Sequence, residues 1–297
     1  MADLVAVVPL AEDETEASVK RLVWSSRIRE LVFCVDEDYP CRWPERYGHV
    51  VRVEGFGLGK ALERGFRYAF LDLGADWVVR TDAHVEFKFK AAELCKPELE
   101  GYVVHPGHVP AGSSTVVYSL LIDPATWEFS WVLQPVEYTP QSTESVMYFH
   151  RRLADVLWRL QGEVFAIPYW GKEGHDVTLT LSRLGHPVKP AAGKIVVHHY
   201  KKEWPKKRIA WKVMLKRWAR EPWMSELPPN HNPYFEAIGI GDVIYAFRHY
   251  ENPMAMPFWS RISPVSVQIA RRYFPHKLRY LPLKPVFHVF RELGFKL

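Results

Sequence analysis

The chain has 297 residues, 48% hydrophobic and 25% charged, which supplies apolar side chains for a full core and excludes a disordered polymer. Its three cysteines, Cys34, Cys41 and Cys95, follow neither zinc-finger nor redox spacing, and their odd number argues against a disulfide framework. The formal net charge of +5 divides into −6 over residues 1–199 and +11 over residues 200–297, so any anionic partner should face the C-terminal third.

Leu4 to Leu10 is a seven-residue apolar run with Pro9 near its end, and it reads as a buried strand. The acidic cluster Glu12-Asp13-Glu14 then opens a helical pattern through Val19, Leu22 and Val23. A second strand, Leu31 to Val35, delivers Asp36, although an aspartate there serves equally well as a loop or helix cap. Gly57-Leu58-Gly59-Lys60-Ala61 starts the next helix, which continues through Gly65 to Ala69. Glycines alone are a weak phosphate signal, and a lysine at a helix start is commonly just solvated.

The run Ala75 to Arg80 reads as a third buried strand and closes on Asp82-Ala83-His84. Side chains two apart on a strand share a face, so Asp82 and His84 can grip one cation at the strand end. The competing reading is a polar pair that merely satisfies loop amides. Between Gly101 and Ser145 the pattern gives strands at Val103-Val104 and Thr115 to Ile122, with long loops around Pro124, Trp127 and Pro135. His105 and His108 flank Pro106-Gly107 and read as loop residues, lining the site at most. Phe149 to Leu160 has a helical pattern. Trp170-Gly171-Lys172-Glu173-Gly174-His175-Asp176 leads into another helix ending near Gly185, and Ile195 to Tyr200 is a short strand containing His198 and His199. Alternating strands and helices through residue 86 predict an α/β fold with a largely parallel sheet.

The remainder is basic. Arg208, Lys212, Lys216 and Arg220 recur at four-residue spacing beside an apolar stripe of Trp211, Leu215 and Trp218, which predicts a helical extension. Ile269 to Phe295 mixes arginine and lysine with aromatics, a composition suited to an anionic membrane surface. A homo-oligomer interface is the other reading, and no nucleic-acid motif accompanies the charge. No uninterrupted apolar stretch approaches the roughly 18 residues of a spanning helix, and the opening residues lack a basic signal region, so the expectation is a cytoplasmic protein, peripheral on the inner face of the membrane. Scarcity of asparagine, at positions 230, 232 and 252 only, leans toward a thermophilic source.

In their order along the chain, Asp82-x-His84, the Trp170-Gly171-x-Glu173 helix and His198 resemble three parts of the GT-A glycosyltransferases: the metal-binding triplet, the acceptor-side helix and the late histidine ligand. The nearest patterns are the family 2 enzymes and the polypeptide N-acetylgalactosaminyltransferases, whose triplet is also Asp-x-His. The stretch Gly57 to Gly65 is similar to the helix start of the dolichyl-phosphate sugar synthases within family 2. The resemblance covers residues 3–203. It implies an α/β GT-A fold, Rossmann-like, with a mainly parallel central sheet flanked by helices. Residues 1–100 would form the nucleotide-sugar-binding half, 101–203 the acceptor-side half and 204–297 the basic, mainly helical extension.

The implied activity is metal-dependent transfer of a hexosyl or N-acetylhexosaminyl group from a nucleotide diphosphate sugar, UDP-sugar before GDP-sugar, to a sugar or lipid-linked acceptor. Carried over residue by residue, Asp82, His84 and His198 would hold Mn²⁺, with Mg²⁺ the second choice. His198 is preferred to His199 because an aromatic residue and a basic one, Tyr200 and Lys201, follow it at the family's spacing. Pro9, Asp36, Lys60, Asp82, Trp170, Lys201 and Trp204 would face the donor, the last two on a mobile lid. Inverting members place a catalytic aspartate where this chain has Gly174, so Glu173 and Asp176 are the catalytic candidates and retention is the preferred outcome. Two other readings stand beside this one. The first is a non-catalytic sugar-nucleotide-binding protein at a membrane surface. The second is a sugar-1-phosphate nucleotidyltransferase, which would want a glycine-rich loop where Pro9-Leu10-Ala11-Glu12 stands.

Overall fold

Strands and helices alternate from the first described residue. The computed structural model describes residues 4–200 apart from 56, 123–128, 134–138, 140–141 and 167–172. The basic extension 204–297, with Lys201, Trp204 and Trp170, therefore lies outside the described residues.

In chain order the structure runs β1 (Leu4–Pro9), α1 (Glu16–Ser26), β2 (Glu30–Asp36), β3 (His49–Val53), α2 (Leu58–Arg67), β4 (Trp77–Thr81), β5 (Val85–Phe87) and β6 (Val103–Pro110). It continues with β7 (Ser119–Ile122), β8 (Phe129–Val132), β9 (Val146–His150), α3 (Arg151–Gln161), α4 (Glu173–Arg183) and β10 (Val188–His198). Eight strands form one sheet in the order β3-β2-β1-β4-β9-β6-β10-β5, and β7 and β8 form a separate hairpin. Strands β3, β2, β1 and β4 are mutually parallel, as are β6 and β10. Strand β9 runs antiparallel between β4 and β6, and β5 closes the edge antiparallel to β10.

Helices cover both faces, which is why the central strands are apolar throughout rather than alternating. On one face α2 lies across β1 and β2, and Phe66 meets Phe149 and Phe165 edge-to-face at centroid separations of 5.2 and 4.9 Å. Helix α2 approaches so closely because of Gly65: a Cβ there would lie 2.5 Å from Cys34 Sγ and 2.6 Å from Val7 Cγ1. Cys34 is packing material, its thiol pushed up to about 12 by burial. On the other face Val19 and Leu22 of α1 pack with Phe33, Trp77 and Tyr148. No helix among the described residues is long and apolar enough to cross a membrane.

Three local readings are corrected. Helix α1 begins at Glu16, because Thr15 Oγ1 accepts the Ser18 N–H at 3.2 Å and caps it; the cluster Glu12-Asp13-Glu14 is a turn before the helix. The helical pattern from Phe149 to Leu160 hides a boundary: residues 146–150 are a buried strand, and His150 Nδ1 accepts the Arg152 N–H at 3.2 Å to start α3. His105 and His108 lie on β6, not on a loop. Pro106 is tolerated inside that strand because its partner β10 shifts register between Ala191 and Ile195, opposite Pro106 and Gly107.

Candidate metal centre

The topology carries the site to one edge of the sheet. Pro9 ends β1, Asp36 ends β2 and Asp82 follows β4, so all three lie at the carboxyl ends of parallel strands, where open α/β sheets bind ligands. From Asp82 the chain crosses to the far edge as β5, with Val85 opposite His198 of β10 and the His84 carbonyl accepting the His199 N–H at 3.0 Å. That pairing sets His84 beside His198.

One ligand atom from each of Asp82, His84 and His198 lies within 4.8 Å of the others. His198 Nε2 is 3.2 Å from Asp82 Oδ2, and the His84 and His198 rings meet edge-on with centroids 4.7 Å apart. Burial alone would raise the Asp82 pKa, but the Arg80 charge, the His198 bond and the His84 charge together hold it well below the usual carboxylate range. Asp82 is thus ionised, as a metal ligand must be, and one carboxylate with two imidazoles is a donor set suited to a divalent transition metal. The residues present fit such an ion.

The neighbouring side chains are organised around these three. Glu14 turns inward from its pre-helical turn, its Oε1 2.9 Å from His84 Nδ1. Arg80, 3% exposed, lies 3.1 Å from Asp82 Oδ1 and 3.8 Å from Glu173 Oε1, and it donates to the Glu144 carbonyl. His108 Nδ1 is 2.8 Å from Ser145 Oγ and its Nε2 3.0 Å from the Tyr200 hydroxyl. Burial, then the His198 charge, lowers the His108 pKa to about 3, so it is neutral. Tyr200 in turn sits edge-on to His198 at 4.1 Å.

Glu173 and Asp176 open α4 and are both buried. Glu144 caps that helix from outside: it holds a left-handed φ of 62° and accepts the His175 N–H at 2.9 Å, and it also pairs with the His175 imidazole. A side chain at Gly174 would begin 2.9 Å from Glu144 Cγ and 3.0 Å from Met147 Cε, so Glu144 and Met147 fill the space a residue there would need. Asp36 is half-buried, and its carbonyl accepts the Tyr39 N–H at 3.0 Å. Lys60 is exposed, with Nζ 3.5 Å from the Gly55 carbonyl. His199 faces away from the cluster, 3.6 Å from Glu86 Oε2.

Sequence reasoning overlooked Glu14, Arg80 and Glu144, and it took His108 for a loop residue that lines the site at most. Arg80 left a signal, a lone charge inside an otherwise apolar strand run. Glu14 left none, since an acid just before a helix is ordinary.

Neither a protein-family profile nor a curated protein matches the sequence. Among solved structures, GalNAc-T7 with UDP, GalNAc and Mn²⁺ superposes with a TM-score of 0.56 at 15% identity over 92% of this chain. S. aureus TarS residues 1–349 with UDP-GlcNAc gives a TM-score of 0.57 at 13% identity over 98% of this chain and 88% of that one. A longer TarS structure gives 0.53 at 13% identity. The chain spans 58% of the GalNAc-T7 chain and 53% of the longer TarS chain. The mixed sheet, the helices on its two faces and these superpositions give one answer: the chain has the GT-A glycosyltransferase fold.

Proposed function

We propose that the chain is a metal-dependent glycosyltransferase that moves a sugar from a nucleotide diphosphate sugar to an acceptor. The single observation that carries this reading is the Asp82-His84-His198 cluster at the carboxyl edge of a GT-A sheet. A UDP-sugar is the favoured donor, ahead of a GDP-sugar, in line with the UDP and UDP-GlcNAc of the structural neighbours. The transferred group is a hexosyl or N-acetylhexosaminyl unit. Two imidazoles beside one carboxylate favour Mn²⁺ over the oxygen-preferring Mg²⁺. Bound there, the ion would supply charge stabilisation for the departing diphosphate.

The protein's own residues divide the remaining work. Arg80 holds Asp82 and Glu173 in one buried network, which fixes the start of α4 relative to the metal ligands. With a guanidinium beside it, Glu173 is better placed to orient a sugar hydroxyl than to accept a proton from one, and Gly174 supplies no carboxylate. Retention is therefore the favoured outcome, with Asp176 in support of Glu173. Pro9 and Asp36 face the nucleotide from the strand ends, and Lys60, Trp170, Lys201 and Trp204 complete the donor side. The basic residues beyond 204 bring the enzyme to an anionic membrane surface and a lipid-linked acceptor, a reading supported by their composition.

The test is nucleotide release from a panel of UDP- and GDP-sugars with Mn²⁺, with and without chelator. Release should be metal-dependent, and Asp82→Ala and His198→Ala should each reduce it by at least about 100-fold, the scale of losing electrostatic stabilisation of a leaving group. Both variants should keep the wild-type circular dichroism. Normal turnover in both would overturn the assignment.

A further inference from the structure

We propose that Glu14 is a positioning residue that decides which nitrogen of His84 is presented to the cation; the proposal rests on the metal-centre reading above. Of the three consecutive acids after β1, Glu12 and Asp13 are exposed and Glu14 alone is buried, at 9% exposure. A buried carboxylate is costly unless a partner compensates it. Its position explains how it reaches one. Glu14 precedes the Thr15 cap, and its own N–H donates to the Ala11 carbonyl at 3.0 Å, so it belongs to a tight turn and not to the solvent face of α1.

From that turn its Oε1 reaches His84 Nδ1 at 2.9 Å, across 70 residues of sequence. An ionised carboxylate only accepts hydrogen bonds, so the proton of a neutral His84 belongs on Nδ1 and the lone pair on Nε2. Nε2 is then the ligand atom, and the ring is held in a plane that the carboxylate fixes. This is the carboxylate-histidine arrangement by which protein metal sites orient imidazoles and raise their basicity. The other histidine is held differently. The His198 ring packs against the rings of His108 at 4.9 Å and Tyr200 at 4.1 Å, and its Nε2 lies 3.2 Å from Asp82 Oδ2, so aromatic contact and a fellow ligand orient it. Glu14 thus acts on one ligand of the pair.

The experiment compares wild type, Glu14→Ala and the near-isosteric Glu14→Gln by Mn²⁺ titration, reading free Mn²⁺ by electron paramagnetic resonance. Long-range ¹H–¹⁵N correlation on the metal-free proteins reads the His84 tautomer, with His84→Gln identifying its signals. Wild type should bind Mn²⁺ and show Nδ1 protonation at His84. Glu14→Ala should bind about 10- to 100-fold more weakly and lose that tautomer preference, with Glu14→Gln in between. Should Glu14→Ala fail to fold, Glu14→Gln carries the comparison. If wild type binds Mn²⁺ and the variants match it in affinity and tautomer, Glu14 has no such role while the metal centre stands. If wild type binds no Mn²⁺, the centre and this inference fall together.

Discussion

His105 shows what enclosure in the sheet does to a titratable side chain. It is fully buried on β6, its Nδ1 3.0 Å from the Pro106 carbonyl, and burial lowers its pKa from 6.5 to about 4. Between those values the unfolded chain binds a proton that the folded one refuses, so folding stability rises with pH across the window. The contribution is complete above about pH 6.5 and is lost as pH falls toward about 4, on the order of 3 kcal/mol for a shift of this size. Thermal midpoints recorded from pH 7.5 down to pH 5 should therefore decline, and His105→Asn should flatten the decline. An unchanged slope in that variant would show that other groups govern it. The residue scale also marks how far the sequence could be read. Asp82 and His84 stand two apart at a strand end, so local pattern revealed that pair, whereas His198, the last residue of β10, was reached through the family resemblance. Glu14 and Arg80 act through partners 70 and 64 residues away. No periodicity records such a contact, because burial and pairing arise only when the strands assemble.

At the scale of elements, Gly65 carries more than its lack of a side chain suggests. It reads from sequence as part of a helix start similar to that of the dolichyl-phosphate sugar synthases, and in the structure it is the point where α2 touches β1 and β2. Gly65→Ala would force a methyl group against Val7 and Cys34, both in the sheet core, and should cost about 1–3 kcal/mol by overpacking. Denaturant unfolding of the variant measures this; wild-type stability would mean the helix shifts without penalty. The misread elements have a related cause. Strand β9 is buried on both faces, so it lacks the alternation that marks a strand, and its apolar run blends into the period of α3. Strand β6 contains Pro106 and Gly107, ordinary loop signals, and only the irregular register of β10 makes room for them. In both cases the deciding information sits on a neighbouring strand that is distant in sequence.

For the whole molecule, the strand order places the last described strand, β10, between β6 and β5, so the edge that carries Asp82, His84 and His198 exists only once the sheet is assembled. A ligand that binds only this assembled form adds about 2.7 kcal/mol at a hundredfold excess over Kd. Differential scanning of the full chain with UDP and Mn²⁺ should therefore raise the midpoint by several degrees, and chelator should reverse the rise. An unchanged midpoint at saturating concentrations would count against donor binding at this edge. The general architecture was readable because strand-helix alternation is a repeated local signal; the crossing of β5 to the far edge was not, since three residues cannot announce their partner. That crossing has a mechanical outcome. Asp82 and His198 are separated by 116 positions along the chain, so an ion shared between them ties a long loop shut in the manner of a removable staple. Adding or withdrawing the metal would then alter how readily β10 peels from the sheet, and a protease would sense the difference even in a molecule that never meets a sugar.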